Sequence, residues 1–168
     1  MPDTSPIEYS IPGQIALMQG AVECFNREEW YLLENDLSER CICARFAGYL
    51  ERQLRENGVR EYVADVEYNR GMDGVDRSPK RIYDELIVVD LIVHKRGHDP
   101  EGGFRNLICV EMKKSTNPRG CRSDEARLRK MTDWDYGFCY SLGVMLLADM
   151  QEKKLKIHRL FSHGQEVE

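Results

Sequence analysis

The chain of 168 residues has no run of 18 or more apolar residues, so a membrane-spanning helix is not expected. Its first residues, MPDTSPIEYS, lack a basic stretch leading into an apolar one, so no export signal is expected either, and a cytoplasmic location is. There is no CxxC pair. The six cysteines (Cys24, Cys41, Cys43, Cys109, Cys121 and Cys139) fall mostly in apolar, periodic segments and read as small buried thiols in a reducing compartment, not as a disulfide framework. Internal repeats and low-complexity tracts are also missing, which fits a single core.

An excess of positive charge is missing too. The net charge is −5, whereas a protein that grips a phosphate backbone is expected to carry a basic surface. The charge is uneven, however. Residues 1–39 hold eight acids against the single base Arg27, while residues 113–130 hold seven bases against two acids. A mean close to neutral can therefore hide a basic face.

Residues 1–13, with Pro2, Pro6 and Pro12, read as an irregular arm. From Gln14 to about Asn35, Ile15, Met18, Val22 and Phe25 stand at helical spacing, with a break expected near Asn26. A clearer helix follows. Asp36 or Ser38 can cap it, Gly58 stops it, and Cys43, Phe46, Ala47, Leu50 and Leu54 form one apolar stripe. Glu61 to Asn69 partly alternates and reads as a strand, and residues 70–82 read as a polar loop. Leu86 to Val93 is a nearly continuous β-branched run, the pattern of a strand buried on both faces. HDPEGG (98–103) is a turn by composition, and Leu107 to Val110 resumes the strand pattern. Ser123 or Asp124 caps a helix to about Met131, and Phe138–Ala148 and Lys154–Phe161 are the last strands. The order is that of a mixed α/β domain with helices packed on a sheet. Residues 1–36 stand as an acidic extension before a main domain at 37–168.

Asp90 interrupts the apolar run. An ionised carboxylate buried there without compensation would cost on the order of several kcal/mol, so a cation, a proton or a metal must accompany it. Glu111 and Lys113 lie two apart on the next strand and share one face, with Met112 on the other. A turn centred on Pro100 and Glu101 makes the numbers of opposed residues sum to 201 and sets Asp90 across from Glu111, with Cβ atoms about 5 Å apart. Two carboxylates that close repel unless a cation lies between them, and two carboxylates with water suit Mg²⁺ or Mn²⁺. Lys113 beside such an ion can orient water or neutralise charge on a transferring phosphate. The bland alternative is a buried Asp90–Lys113 ion pair with Glu111 exposed. His94 and His98 flank the turn and lack the partners that zinc requires.

Asp90, a hairpin, and Glu111-Met112-Lys113 together resemble the PD-(D/E)XK nuclease superfamily, whose fold is restriction-endonuclease-like. The stretches LSERCICARFAGYL, DVEYNRG, VVDLIVHKRG and NLICVEMKKS are similar to a group of small bacterial members, over about Leu37 to Leu147. The resemblance implies an αβββαβ core, a mixed central sheet flanked by helices. It implies Mg²⁺ (or Mn²⁺) held by Asp90, Glu111 and the backbone carbonyl of Met112, with Lys113 as the catalytic lysine. Many members add a glutamate from the first core helix, and Glu39 fits that position. It lies one turn before Cys43 on the apolar stripe, although with Asp36 as N-cap it would instead cap the backbone. The proline usual before the family's aspartate is Val89 here. The implied activity is phosphodiester hydrolysis in DNA, with RNA and a homodimer left open and no membrane partner. Lys114, Arg119, Arg122, Arg127, Arg129 and Lys130 could follow a phosphate backbone, and Asn69 and Arg70 could border the same cleft. The competing expectation is a non-catalytic module of the same fold that binds nucleic acid or a protein, favoured by the acidic balance.

Overall fold

The computed structural model describes residues 10–67, 81–82, 85–96, 106–117, 119–136 and 138–168, with backbone alone at 81–82 and 85–86. The first helix, α1 (Ile11–Glu28), begins before the expected Gln14. Ser10 Oγ accepts from Gly13 N at 3.2 Å, and Pro12 sits in the first turn, where a missing N–H leaves no bond unmade. Glu29, not Asn26, separates α1 from the short α2 (Trp30–Glu34). Asn26 instead ties α1 to the sheet, donating to the Leu155 carbonyl at 2.9 Å and accepting from Leu155 N at 2.7 Å. Ser38 rather than Asp36 caps α3 (Glu39–Glu56), its Oγ accepting from Cys41 N at 3.2 Å. The predicted stripe of α3 is buried throughout. Phe25 meets Phe46 and Tyr49 edge-on, with ring centroids 6.2 and 6.0 Å apart. From Ile11 onward, then, the acidic N-terminal stretch contributes to the main core. Its Glu28 and Glu29 pair with Arg52 and Arg45 of α3.

Next come β1 (Val63–Val66), a small hairpin of β2 (Arg81–Ile82) and β3 (Glu85–Leu86), β4 (Leu91–His94) and β5 (Asn106–Lys114). Helix α4 (Cys121–Thr132) then leads to β6 (Leu142–Asp149), β7 (Lys154–Ser162) and β8 (Gln165–Val167). Among the described residues the main sheet has six strands in the order β1-β4-β5-β6-β7-β8. It is antiparallel except for β5 and β6, which run parallel and are joined through α4, the crossover that parallel neighbours need. The molecule is therefore a mixed α/β fold.

The β4–β5 register is the expected one, with Leu91 opposite Val110 and Ile92 opposite Cys109. The expected single strand from Leu86 to Val93 is not formed. Residues 87–89 lie in no strand, Asp90 is a bend, and β4 starts at Leu91. Ile87 and Val89 bury themselves with Leu128, Met131, Phe138 and Tyr140 instead of continuing the ladder. The last hairpin was not expected; it turns through His163 and Gly164, both at positive φ (50° and 72°), as a two-residue turn requires.

Alternation along β5 divides the core. Ile108, Val110 and Met112 pack with α1 and α3, while Cys109 packs with Leu128 and Met131 of α4. Glu111 and Lys113 share the parity of Cys109 and so face α4. Gly143 on β6 lets α4 come close, because a Cβ there would lie 3.1 Å from Thr132 Cγ2 and 3.4 Å from Leu128 Cβ. No described helix is long and apolar enough to cross a membrane.

Candidate functional site

Asp90 is fixed from several sides. Its carbonyl accepts from Glu67 N at 3.0 Å at the end of β1, and Cys43 Sγ of α3 lies 3.6 Å from the same oxygen. Its carboxylate accepts from Met112 N at 2.8 Å. The side chain thus substitutes for a ladder partner where the preceding segment has left the sheet, and its carboxyl interacts electrostatically with that of Glu111. Burial raises the Asp90 carboxyl above its ordinary range, opposed by the Met112 amide, the Glu111 hydrogen bond and Lys113.

Glu111 is only 2% exposed. Burial first, and then the charge of Asp90, push its carboxyl up to about 9, against the pull of Arg127. A protonated Glu111 can donate to Asp90 while its Oε1 accepts from Arg127 Nη1 at 2.7 Å. The bland alternative of an exposed Glu111 is overturned, because β5 turns that residue toward α4.

Lys113 is half-buried. Desolvation works to lower its ammonium, but Asp124, Glu39 and Asp90 outweigh it and the net shift is upward. Its Nζ lies 3.0 Å from Asp124 Oδ2 and 3.9 Å from Glu39 Oε2. The Asp124 contact is an ion pair in poor hydrogen-bond geometry, made by an almost fully buried carboxylate oxygen.

Asp124, 4% exposed, is the residue that sequence reasoning missed. It was expected as a helix cap, but α4 starts earlier, with Gly120 in the left-handed region (φ 85°) as its N-cap, and Asp124 falls inside the first turn. There it joins Lys113 to Arg127, whose Nη2 lies 3.0 Å from Asp124 Oδ1. The spacing 124, 128, 131 was the available signal, since Asp124, Leu128 and Met131 form one buried helical stripe.

Glu39 approaches from the opposite face. As the first residue of α3, it accepts from Lys114 N at 3.0 Å through Oε1, and through Oε2 it reaches around the end of β5 toward Lys113. With Ser38 as the cap, the backbone-capping role is excluded for Glu39. Lys114 donates to the carbonyls of Leu37 at 3.1 Å and Asp36 at 3.4 Å. Of the other basic candidates among the described residues, Arg127 alone is brought into the site. Arg129 lies over the Phe161 ring and pairs with Glu166, and Lys130 lies over Tyr136. Arg119 and Arg122 are exposed at the start of α4. Asn69, Arg70 and His98 lie outside the described residues. His94 is buried with Nε2 2.8 Å from Asp65 Oδ2, where it fastens β4 to β1.

Chemically, the site offers oxygen donors suited to a hard divalent cation: two touching carboxyls and the Met112 carbonyl. A strand residue directs its N–H and C=O to the same edge, and the Met112 amide already faces Asp90. The raised Glu111 carboxyl is a sign of negative charge that the chain only partly compensates. Among the described residues, no three His, Cys, Asp or Glu side chains are gathered into a metal-ligand group, so the fit rests on two carboxylates.

No protein-family model matches the chain, and neither a curated protein nor a solved structure matches it.

Proposed function

We propose that the chain is a metal-dependent nuclease of the restriction-endonuclease-like kind, hydrolysing phosphodiester bonds in DNA. The observation that carries this reading is that the Asp90 carboxylate is bound to the Met112 amide, between buried Glu111 and Lys113 on one strand. The helix–three strands–helix–strand order of α3, β1, β4, β5, α4 and β6, with β6 parallel to β5, supports the same family core. Asp90, Glu111 and the Met112 carbonyl would hold Mg²⁺ or Mn²⁺. When bound, that ion would supply Lewis-acid charge and a more acidic water. Lys113, kept protonated by its acidic neighbours, would neutralise charge that builds on the phosphate as the bond breaks. Glu39 would position Lys113 from the far side of β5.

A second reading, a non-catalytic module of this fold, is favoured by one observation. Lys113 and Arg127 are both already paired to carboxylates, so the site is partly neutralised from within. Incubating the protein with plasmid DNA, linear DNA and RNA in Mg²⁺ or Mn²⁺, with a chelator control, separates the two. Chelator-sensitive cleavage is expected; binding without cleavage of any substrate would support the module instead.

A further inference from the structure

The chain supplies its own cations to the site. Arg127 Nη1 lies 2.7 Å from Glu111 Oε1 and 3.1 Å from the Val88 carbonyl, while Nη2 lies 3.0 Å from Asp124 Oδ1. Glu111 and Asp124 are almost fully buried, but Arg127 is not; 27% of its side chain is exposed. Among the described residues, four carboxylates, those of Glu39, Asp90, Glu111 and Asp124, face two cations, Lys113 and Arg127. In full ionisation the cluster therefore lacks two positive charges, the charge of one divalent ion.

We propose that Arg127 is the resident counter-ion of Glu111, that a divalent cation displaces its guanidinium from that carboxylate, and that the displaced group, still tethered by Asp124, takes up a phosphate oxygen of the substrate. This rests on the nuclease reading above. Oε1 of Glu111 cannot keep a guanidinium at hydrogen-bond distance and also bind a metal ion without setting two like charges against each other. Asp124 lies one helical turn before Arg127 and holds the other arm of the fork, so release from Glu111 need not free the side chain entirely. A guanidinium with one arm anchored and one arm open suits a phosphate oxygen. Binding of metal and of phosphate then becomes mutually favourable, each tightening the other by the same factor.

The first measurement is Mn²⁺ binding by calorimetry, without nucleic acid, for the parent, Arg127→Gln and Lys113→Met. Each variant removes one positive charge from the cluster, but only Arg127 contacts Glu111. Arg127→Gln should bind Mn²⁺ at least about tenfold more tightly than the parent, a gain of about 1.4 kcal/mol, and Lys113→Met should gain less. Arg127→Gln strands a buried carboxylate and can fail to fold, so the second measurement uses the parent. A crystal structure grown with Mn²⁺ and inorganic phosphate should show Arg127 off Glu111 and on a phosphate oxygen. A parent that binds no Mn²⁺, a folded Arg127→Gln that binds it no more tightly, or Mn²⁺ bound with Arg127 still on Glu111 overturns the exchange. Arg127 displaced but away from phosphate overturns the phosphate role. Displacement as proposed, in a protein that cleaves neither DNA nor RNA, overturns the nuclease reading alone; cleavage with Arg127 still on Glu111 leaves that reading standing without the exchange.

Discussion

Titrating the metal-free protein from about pH 5.5 to 8.5 should expose the proton held at Glu111. Burial and the Asp90 charge push this carboxyl up to about 9, from an ordinary 4.5. In the unfolded chain the group ionises near the ordinary value, so between the two values the folded state keeps a proton that the unfolded state has lost. The stability linked to this proton is complete below about pH 4.5 and is lost as the pH rises toward about 9. One proton of difference gives a slope of at most about 1.4 kcal/mol per pH unit, a ceiling of about 4 kcal/mol across these three units. A loss of about 1–4 kcal/mol is therefore expected over this range. Glu111→Gln has no such proton to lose, yet its amide can still donate to Asp90 and its oxygen can accept from Arg127. Urea denaturation at three pH values would measure the parent minus variant stability, a difference in which other titrating groups cancel. It should fall steadily as the pH rises. A constant difference would refute the shared proton. Adding Mg²⁺ expels the same proton, so apparent metal affinity should rise by up to about tenfold per pH unit over this range.

Asp90→Asn keeps an acceptor for Met112 N but removes the charge beside Glu111; it should abolish Mn²⁺ binding in calorimetry while leaving the metal-free protein as stable as the parent or more so. Phe46→Ala should lose about 3–5 kcal/mol in denaturant unfolding, because Phe46 is fully buried against Phe25. Gly143→Ala should lose about 1–3 kcal/mol, since a Cβ would lie 3.1–3.4 Å from Thr132, Phe161 and Leu128 and press them apart; unchanged thermal stability would mean that these neighbours adjust freely.

What the sequence made legible was what a single period governs. The stripe of α3 and the register of β4 against β5 follow from spacing and from one turn, and both are as expected. The face shared by Glu111 and Lys113 follows from the alternation of β5. The errors came where a local signal competed with packing. Leu86 to Val93 has the composition of one strand, but Ile87 and Val89 are drawn under α4, and this leaves Asp90 at a bend. Gly120 caps α4 with no side chain, so the start of the helix was invisible to a search for Ser or Asp. That shift hid Asp124, and with it the bridge from Lys113 to Arg127. Lys114 bears the mark of a surface cation, yet Asp36 and Leu37, in the connection between α2 and α3, fold over it.

The central claim is most directly tested by comparing the parent with Lys113→Ala, in one experiment that follows both Mn²⁺ binding and single-turnover cleavage of DNA. In the proposed mechanism hydrolysis needs the lysine, whereas holding the metal does not. The variant should bind Mn²⁺ at least as tightly as the parent, because a nearby positive charge is gone, and should cleave about 10²-fold more slowly or worse, the scale of losing one transition-state contact. Undiminished cleavage by Lys113→Ala would contradict the mechanism.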